Sequence, residues 1–304
     1  MAKLIVMVGL SGSGKTTRAR EYYSNATIIS SDDIRASYFG DVNNQKHNGQ
    51  VFDIMFKHTV RELMLGNDVV YDATNLSSKR RQSLIKNVRA AVGSNVSFRA
   101  HVVVTSYENC LVRNAARKRH VPVEVIKNQL LSFQTPTEEE GFDQIFLDHT
   151  ESYEYRTFYI CDRMHEMAEM NHDNPHHPDT IFTHSANVCK SMIEKCPSYI
   201  PQVLAAQIGF YHDIGKLYTK TFDEYGIAHY YKHAAPSAYI ALVAPADGMN
   251  EYSHVVMSAV IGWHMKEYSY QTEDKYNTWL NTLPPLHQEL LTMLNSADRL
   301  NSIS

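Results

Sequence analysis

Hydrophobic and polar positions divide the chain into two regimes. Up to residue 105, short apolar runs alternate with longer stretches of helical period. Residues 3–8, 26–30, 68–72 and 97–104 are rich enough in apolar side chains to be buried parallel strands. Between them, 15–24, 48–66 and 78–92 carry helical patterns, with one face for burial. Such alternation predicts parallel βαβ units, whose ligands bind at the carboxyl ends of the strands. Residues 107–147 read as mainly helical, interrupted at Val121-Pro122 and at Pro136. From 151 onward strand signals largely disappear, and helical periodicity with aromatic and methionine content takes over. The segment 171–180, which holds His176 and His177, is a polar turn region. The expected organisation is an α/β domain over 1–150, a helical connection over 151–172 and a second domain over 173–304.

Composition changes this picture little. A chain of 304 residues has room for two cores, and 43% hydrophobic with 20% charged residues fits a globular protein. No apolar run approaches the roughly 20 residues of a membrane span. The first strand begins at Lys3 and leaves no room for a signal peptide, so a reducing cytoplasm is the expected compartment. Cys110, Cys161, Cys189 and Cys196 form no C-x-x-C pair, so neither a cysteine zinc motif nor a disulfide framework is indicated. Charge is uneven. Residues 1–150 hold 19 Lys and Arg against 15 Asp and Glu, a balance of +4; the remaining 10 against 18 give −8, and together −4. Of the 16 histidines, 5 lie in the first half and 11 in the second. A basic half can meet a polyanion and an acidic, histidine-rich half can hold cations, although solvated charged faces are the commoner cause of both.

The most specific local signal is Gly9-Leu-Ser-Gly-Ser-Gly-Lys-Thr16, which completes the pattern G-x-x-x-x-G-K-[ST] between a strand and a helix. Gly9, Gly12 and Gly14 let backbone N–H groups wrap a phosphate, with Ser11, Ser13 and Thr17 in the same turn. In that pattern Lys15 reaches the β- and γ-phosphates and the Thr16 hydroxyl ligates Mg²⁺. The expected ligand is a nucleoside triphosphate, ATP with Mg²⁺.

Three further patches stand in a telling order. Ser30-Ser31-Asp32-Asp33-Ile34-Arg35 follows the second strand, Asp72-Ala73-Thr74-Asn75-Leu76 follows the third, and Arg113-Asn114-Ala115-Ala116-Arg117-Lys118-Arg119 precedes Val121-Pro122. Together with the glycine-rich loop they resemble the phage-type polynucleotide 5′-kinase domain over about residues 1–145. The resemblance implies that Asp32 is the general base, that Arg35 holds the acceptor's phosphate, and that Arg113 and Arg117, four apart on one helix face, close on ATP. Asp33 and Arg119 stand behind these. A helix N-cap is the plainer reading of Asp32, and a solvated face that of the arginines. Whether Asp72 reaches the magnesium is left open by its variable spacing in the family.

Phage-type kinases usually carry an aspartate-nucleophile phosphatase, which needs Asp-x-Asp, and no such triplet occurs. Residues 211–216 instead read Tyr-His-Asp-Ile-Gly-Lys, with His184 upstream and His233, His264 and Asp298 downstream. This order resembles the HD phosphohydrolase superfamily, an all-helical metal-dependent fold, over 173–304. It is closest to HD domains that process RNA or nucleotide phosphates, among them those attached to tRNA nucleotidyltransferases. The resemblance implies one metal on His184, His212, Asp213 and Asp298, with His233 and His264 completing a second or contacting the scissile phosphate, which Lys216 also meets. Nitrogen-rich ligands without thiolate favour Mn²⁺, Fe²⁺, Co²⁺, Ni²⁺ or Zn²⁺ over Mg²⁺. His229, His254, His287 and the cluster Asp162–His165 match no motif position; for His229, four residues before His233, an auxiliary ligand role is left open.

The combined expectation is a bifunctional end-healing enzyme of the cytoplasm, or of the host cytoplasm if phage-encoded. It would phosphorylate 5′-hydroxyl RNA or DNA ends and open or remove 2′,3′-phosphates. A nucleoside or nucleotide kinase fused to a nucleotide hydrolase, and an ATP-responsive nucleotide-binding regulator, remain the alternatives.

Overall fold

The strand β1 (Ala2–Val8) is buried along nearly its whole length, as its apolar run requires. It lies at the centre of a parallel sheet with β2 (Thr27–Ser30), β3 (Val69–Asp72), β4 (Val96–Val104) and β5 (Gln144–His149), in the order β2-β3-β1-β4-β5. Leu4 pairs with Val69 on one side and Phe98 on the other, which brings the carboxyl ends of the three central strands together. The connecting helices are α1 (Lys15–Tyr22), α2 (Ser31–Phe39), α3 (Asn48–Met64), α4 (Ser78–Val92), α5 (Tyr107–Ala115) and α6 (Val123–Leu130). A computed structural model describes residues 1–40, 46–174, 179–245 and 247–302, so His176 and His177 lie outside the described residues.

Two elements here depart from the sequence reading. The polar α2 starts at the residue after β2, capped by the Ser30 hydroxyl, which accepts from the N–H groups of Asp32 and Asp33. β5 occupies the end of a stretch expected to be helical. It is an edge strand of six residues in which only Leu147 and Asp148 are buried, too little apolar sequence to signal itself.

Glu140 is buried against α4. Arg81 Nε donates to Glu140 Oε2 at 2.6 Å and Arg81 Nη2 to Oε1 at 2.5 Å, both side chains being almost fully enclosed. Arg81→Met would leave the carboxylate buried without its partner, a loss of about 3–5 kcal/mol. The expected result is a clear fall in the urea midpoint at which ATP binding is lost, restored in large part by adding Glu140→Leu.

Met1–Gln129 with Pro136–Thr150 form one compact unit, and Leu130–Thr135 with Glu151–Ser304 form the other. The second unit contains α7 (Tyr153–Glu169), α8 (Ile181–Glu194), α9 (Gln202–Tyr211), α10 (Ala234–Val243), α11 (Glu251–Trp263), α12 (Glu273–Leu280) and α13 (Pro285–Leu300). Residues 151–172, expected as a helical connection, belong to this unit, and α7 within them packs on α8. Helical sequence dominates, but a small antiparallel hairpin of β6 (Thr221–Phe222) and β7 (Ala228–His229) interrupts it. α10 is buried over almost its entire length and lies against α11, while α13 packs on α8, α9 and α11. No helix among the described residues is long and apolar enough to cross a membrane.

Candidate functional site

In the first unit the loop between β1 and α1 is shaped by its glycines. Gly12 has φ +92°, and a Cβ there would collide with the Cys110 carbonyl, so no side chain fits. Gly14, at φ +102°, is the N-cap of α1, and its conformation turns the chain into the helix at Lys15. Ser11 N–H donates to Gln129 Oε1 at 2.8 Å, and Gln129 Nε2 donates back to the Ser11 hydroxyl at 3.0 Å. The Ser13 carbonyl accepts from the Thr105 hydroxyl at 2.9 Å and from Arg113 at 3.3 Å. Gly9 follows the end of β1, where its N–H donates to the Thr74 carbonyl. Lys15 Nζ donates to the Leu10 carbonyl at 2.7 Å, folding back over its own loop.

The Thr16 hydroxyl donates to Asp72 Oδ2 at 2.7 Å, while Thr17 is exposed in the first turn of α1. Asp72 ends β3 and is 4% exposed; burial raises its pKa, with Lys15 and Thr16 opposing. Desolvation likewise lowers the pKa of the Lys15 ammonium, and Asp72 acts against it. These two charges and a hydroxyl form the arrangement that holds a Mg²⁺–phosphate pair in enzymes of this loop type. The sequence left Asp72 open. An apolar strand ending in Asp beside the glycine-rich strand was the signal available.

Asp32 stands exposed in the first turn of α2, with its carboxylate committed to two arginines. Arg35 reaches Oδ1 at 3.1 Å and Arg119 reaches Oδ2 at 2.9 Å. Ser30 is the helix cap, so Asp32 is not used as one. Arg35 is 7% exposed and its other end donates to Asn48 Oδ1 at 2.9 Å. Asp33 is exposed beside them. The arginine cluster differs from the expected helix face. α5 ends at Ala115, so Arg113 lies in its last turn and Arg117 in an exposed bend beyond it. Asn114 causes this, because its side chain accepts from Val121 N–H at 2.9 Å and donates to Val121 O at 2.8 Å, folding the chain back. Arg113 is bound to the Ser13 carbonyl and to the Thr150 hydroxyl. Of the 113–119 cluster it is Arg119, set behind the others in the sequence reading, that pairs with Asp32.

In the second unit the six ligand-type residues converge. His184 lies on α8, His212 and Asp213 follow α9, His233 and His264 flank the ends of α10 and α11, and Asp298 lies on α13. Gly215 makes the approach possible, since a Cβ there would collide with the His233 carbonyl. Two groups of potential ligands result, His184–His212–Asp213 and Asp213–His233–His264, and Asp213 belongs to both. Asp213 Oδ2 is 3.5 Å from His184 Nε2 and 3.3 Å from His212 Nε2, and Oδ1 is 3.2 Å from His233 Nε2. Asp298 Oδ1 lies 3.0 Å from His184 Nε2.

The imidazole hydrogen bonds decide what this cluster can bind. Nδ1 of His212, His233 and His264 each faces the backbone carbonyl three residues earlier, at 2.8, 2.7 and 2.7 Å, and His184 Nδ1 faces Asn301 O at 3.3 Å. A carbonyl only accepts, so each Nδ1 carries the proton and each Nε2 presents a lone pair. The Nε2 atoms of His233 and His264 are nonetheless 2.9 Å apart, and His184 Nε2 abuts a carboxylate. Lone pair facing lone pair in a buried site calls for a cation. The donor set therefore fits divalent transition metals.

Electrostatics divide the histidines: His264 keeps its lone pair, whereas His212 holds a second proton until a cation takes its place. His264 is pushed down to about 3 by burial and by His233 and His212. His212 is pushed up to about 10 against its burial, by Asp213 and Asp298, and a bound cation would displace that proton. Burial would raise both carboxyls, but His212 and Lys216 hold Asp213, and His184 and His212 hold Asp298, below the usual range. Lys216 Nζ donates to Asp213 Oδ2 at 2.7 Å.

Histidines outside the motif separate from the cluster. His229 pairs with Asp223 at 2.9 Å and stacks on Tyr231, which removes it as an auxiliary ligand. His254 bonds the Ala241 carbonyl and His287 packs on Trp263. In the stretch Asp162–His165, Arg163 pairs with Glu166 and His165 with Glu169 on the same helix. Sequence reasoning missed His172, which is buried beside Lys216 and stood in a segment read only as a turn.

The parallel sheet, the glycine-rich loop after its central strand and the Lys15–Thr16–Asp72 grouping define a P-loop kinase fold in the first unit. Residues 4–136 match a protein family described as an AAA domain. The chain is 29% identical over 147 residues to a protein of Autographa californica nuclear polyhedrosis virus named as a bifunctional polynucleotide kinase/RNA ligase. That match covers 43% of this chain and 21% of the viral protein, so the chain spans about a fifth of its length. Among solved structures, the Pnkp1/Rnl/Hen1 RNA repair complex aligns at 23% identity and TM-score 0.37, over 42% of each chain. A fungal RNA kinase aligns at 16% identity and TM-score 0.33, over 48% of this chain and 74% of its own.

Proposed function

We propose that this chain heals broken nucleic-acid ends, RNA foremost. Its first unit would transfer the γ-phosphoryl group of ATP to a 5′-hydroxyl, and its second would hydrolyse 2′,3′-phosphates. The observation that carries the first activity is the Asp32 carboxylate, free of the helix cap, held by Arg35 and Arg119 beyond the carboxyl end of β2. Asp32 would orient the attacking hydroxyl and accept its proton. Arg35, anchored on Asn48, would hold the acceptor strand's phosphate, and Lys15 would bind the β- and γ-phosphates. Thr16 and Asp72 would hold the Mg²⁺ that comes with ATP. Arg113 would brace the phosphate loop through Ser13, and Arg117 is left to close over the nucleotide from its exposed bend. The similarity to the viral kinase/ligase supports a polynucleotide acceptor. Purified protein given labelled ATP with a 5′-hydroxyl oligoribonucleotide, or with free nucleosides, tests this; label entering nucleosides alone would make it a nucleoside kinase.

The second activity is carried by the buried four-histidine, two-carboxylate cluster, read as an HD-type phosphohydrolase centre. A metal held there would supply hydroxide from bound water near neutral pH. Asp213 would fix the spacing of the two ligand groups it belongs to, the Nδ1–carbonyl bonds would hold each imidazole in its ligating orientation, and Lys216 would meet the phosphoryl oxygen. Elemental analysis of the purified protein should find one or two equivalents of Mn, Fe, Co, Ni or Zn, and a chelator should abolish hydrolysis of 2′,3′-cyclic or 2′-phosphate ends. A protein that neither contains nor takes up such a metal would make these histidines structural.

A further inference from the structure

Lys216 is 6% exposed, and two acceptors direct its ammonium. One is Asp213 Oδ2 at 2.7 Å and the other is His172 Nε2 at 3.2 Å. His172 is fully buried and its Nδ1 lies 2.9 Å from the Asp179 carbonyl oxygen. That contact places the proton on Nδ1, so Nε2 is an acceptor and the ammonium donates to it. The Tyr230 ring centre lies 5.3 Å from Lys216 Nζ, and the Tyr230 hydroxyl donates to the His172 carbonyl at 2.6 Å.

The backbone around His172 is fixed on both sides. Asn171 pairs with Thr180 in an antiparallel bridge and its carbonyl accepts from Lys220. Asp173 accepts from Lys220 through its carboxylate and from Ala228 N–H through its carbonyl. A histidine so anchored is a neutral acceptor, which orients Lys216 without cancelling its charge. A second carboxylate at this place would leave the lysine neutralised twice over. Two of the three ammonium N–H bonds are thus directed, and no acceptor among the described residues takes the third.

We infer that His172 is a positioning residue that aims the third N–H of Lys216 at a phosphoryl oxygen bound at the histidine–aspartate cluster. The inference rests on the phosphohydrolase reading of that cluster. It is tested on the full chain, metal-loaded, with inorganic phosphate as the binding probe and a nucleoside 2′,3′-cyclic phosphate as the substrate. His172→Phe should weaken phosphate binding and lower kcat/KM by about 10–100-fold, mostly through KM, with metal content unchanged. His172→Gln, whose amide oxygen can accept from the same ammonium, should recover most of the loss. Because His172 acts only through Lys216, the double variant with Lys216→Met should be no worse than Lys216→Met alone. A purely structural role would instead lower thermal stability and metal content in both His172 variants and add to the Lys216 effect, which would overturn the inference. So would phosphate binding and turnover in His172→Phe within about twofold of the unaltered chain. If the unaltered chain binds phosphate in a His172-dependent way yet hydrolyses no ester, the positioning role stands and the phosphohydrolase reading alone falls.

Discussion

Replacing Asp32 by alanine is expected to slow phosphoryl transfer to a 5′-hydroxyl oligonucleotide by about two to four powers of ten, with ATP affinity nearly unchanged. The carboxylate is exposed and does not cap α2, so its loss would remove the proposed general base without unwinding the helix that presents it. Lys15→Ala should lose as much rate and should also weaken ATP binding, because on the proposed reading that ammonium would serve the β- and γ-phosphates in ground and transition states alike. The contrast between the two variants is the informative part. Single-turnover rates with ATP binding measured separately would resolve it, and an Asp32→Ala enzyme that still transfers phosphate normally would remove the residue from the reaction. Arg35 and Arg119 would then face each other without their shared anion, so Asp32→Asn is the gentler companion variant.

Asp213→Ala is expected to eliminate metal retention and hydrolysis together while leaving 5′-phosphorylation within a few-fold. Asp213 belongs to both ligand groups, so its removal takes an oxygen ligand from each and also strips Lys216 of its carboxylate partner. Loss of a single histidine such as His264 should spare one group and leave part of the metal bound. Metal analysis run beside both assays checks the result. Kinase activity lost in parallel would mean that the two activities are not independent.

The strands and the glycine-rich loop were legible because their signals are local: apolar runs bounded by turns, and eight residues in a fixed pattern. α2 and β5 were not, since one is a short polar helix and the other an edge strand with little to bury. Arg117 could not be placed by counting fours along a helix that Asn114 ends early. The Thr16–Asp72 bond joins residues 56 apart, and the sharing of Asp213 brings together residues on or at the ends of α8, α9, α10 and α11. Residue order named the six cluster positions, but only geometry disclosed which nitrogen each imidazole offers. His172 had no motif to announce it, and only its buried contact with Lys216 sets it apart from an ordinary turn histidine.

Residues 130–135 have a practical consequence for anyone dividing this protein. They begin at the last residue of α6 but belong to the helical unit, where Phe133 meets the Tyr239 ring edge-on at 5.0 Å and the Thr135 hydroxyl bonds Ser258 at 2.6 Å. A fragment ending at 150 would carry Leu130 and Phe133 into water, and a fragment starting at 151 would leave a vacated slot along α10 and α11. Each half made alone should therefore be prone to aggregate, and a clean excision would have to graft the six-residue strip onto the helical half and bridge 129 to 136 in the other.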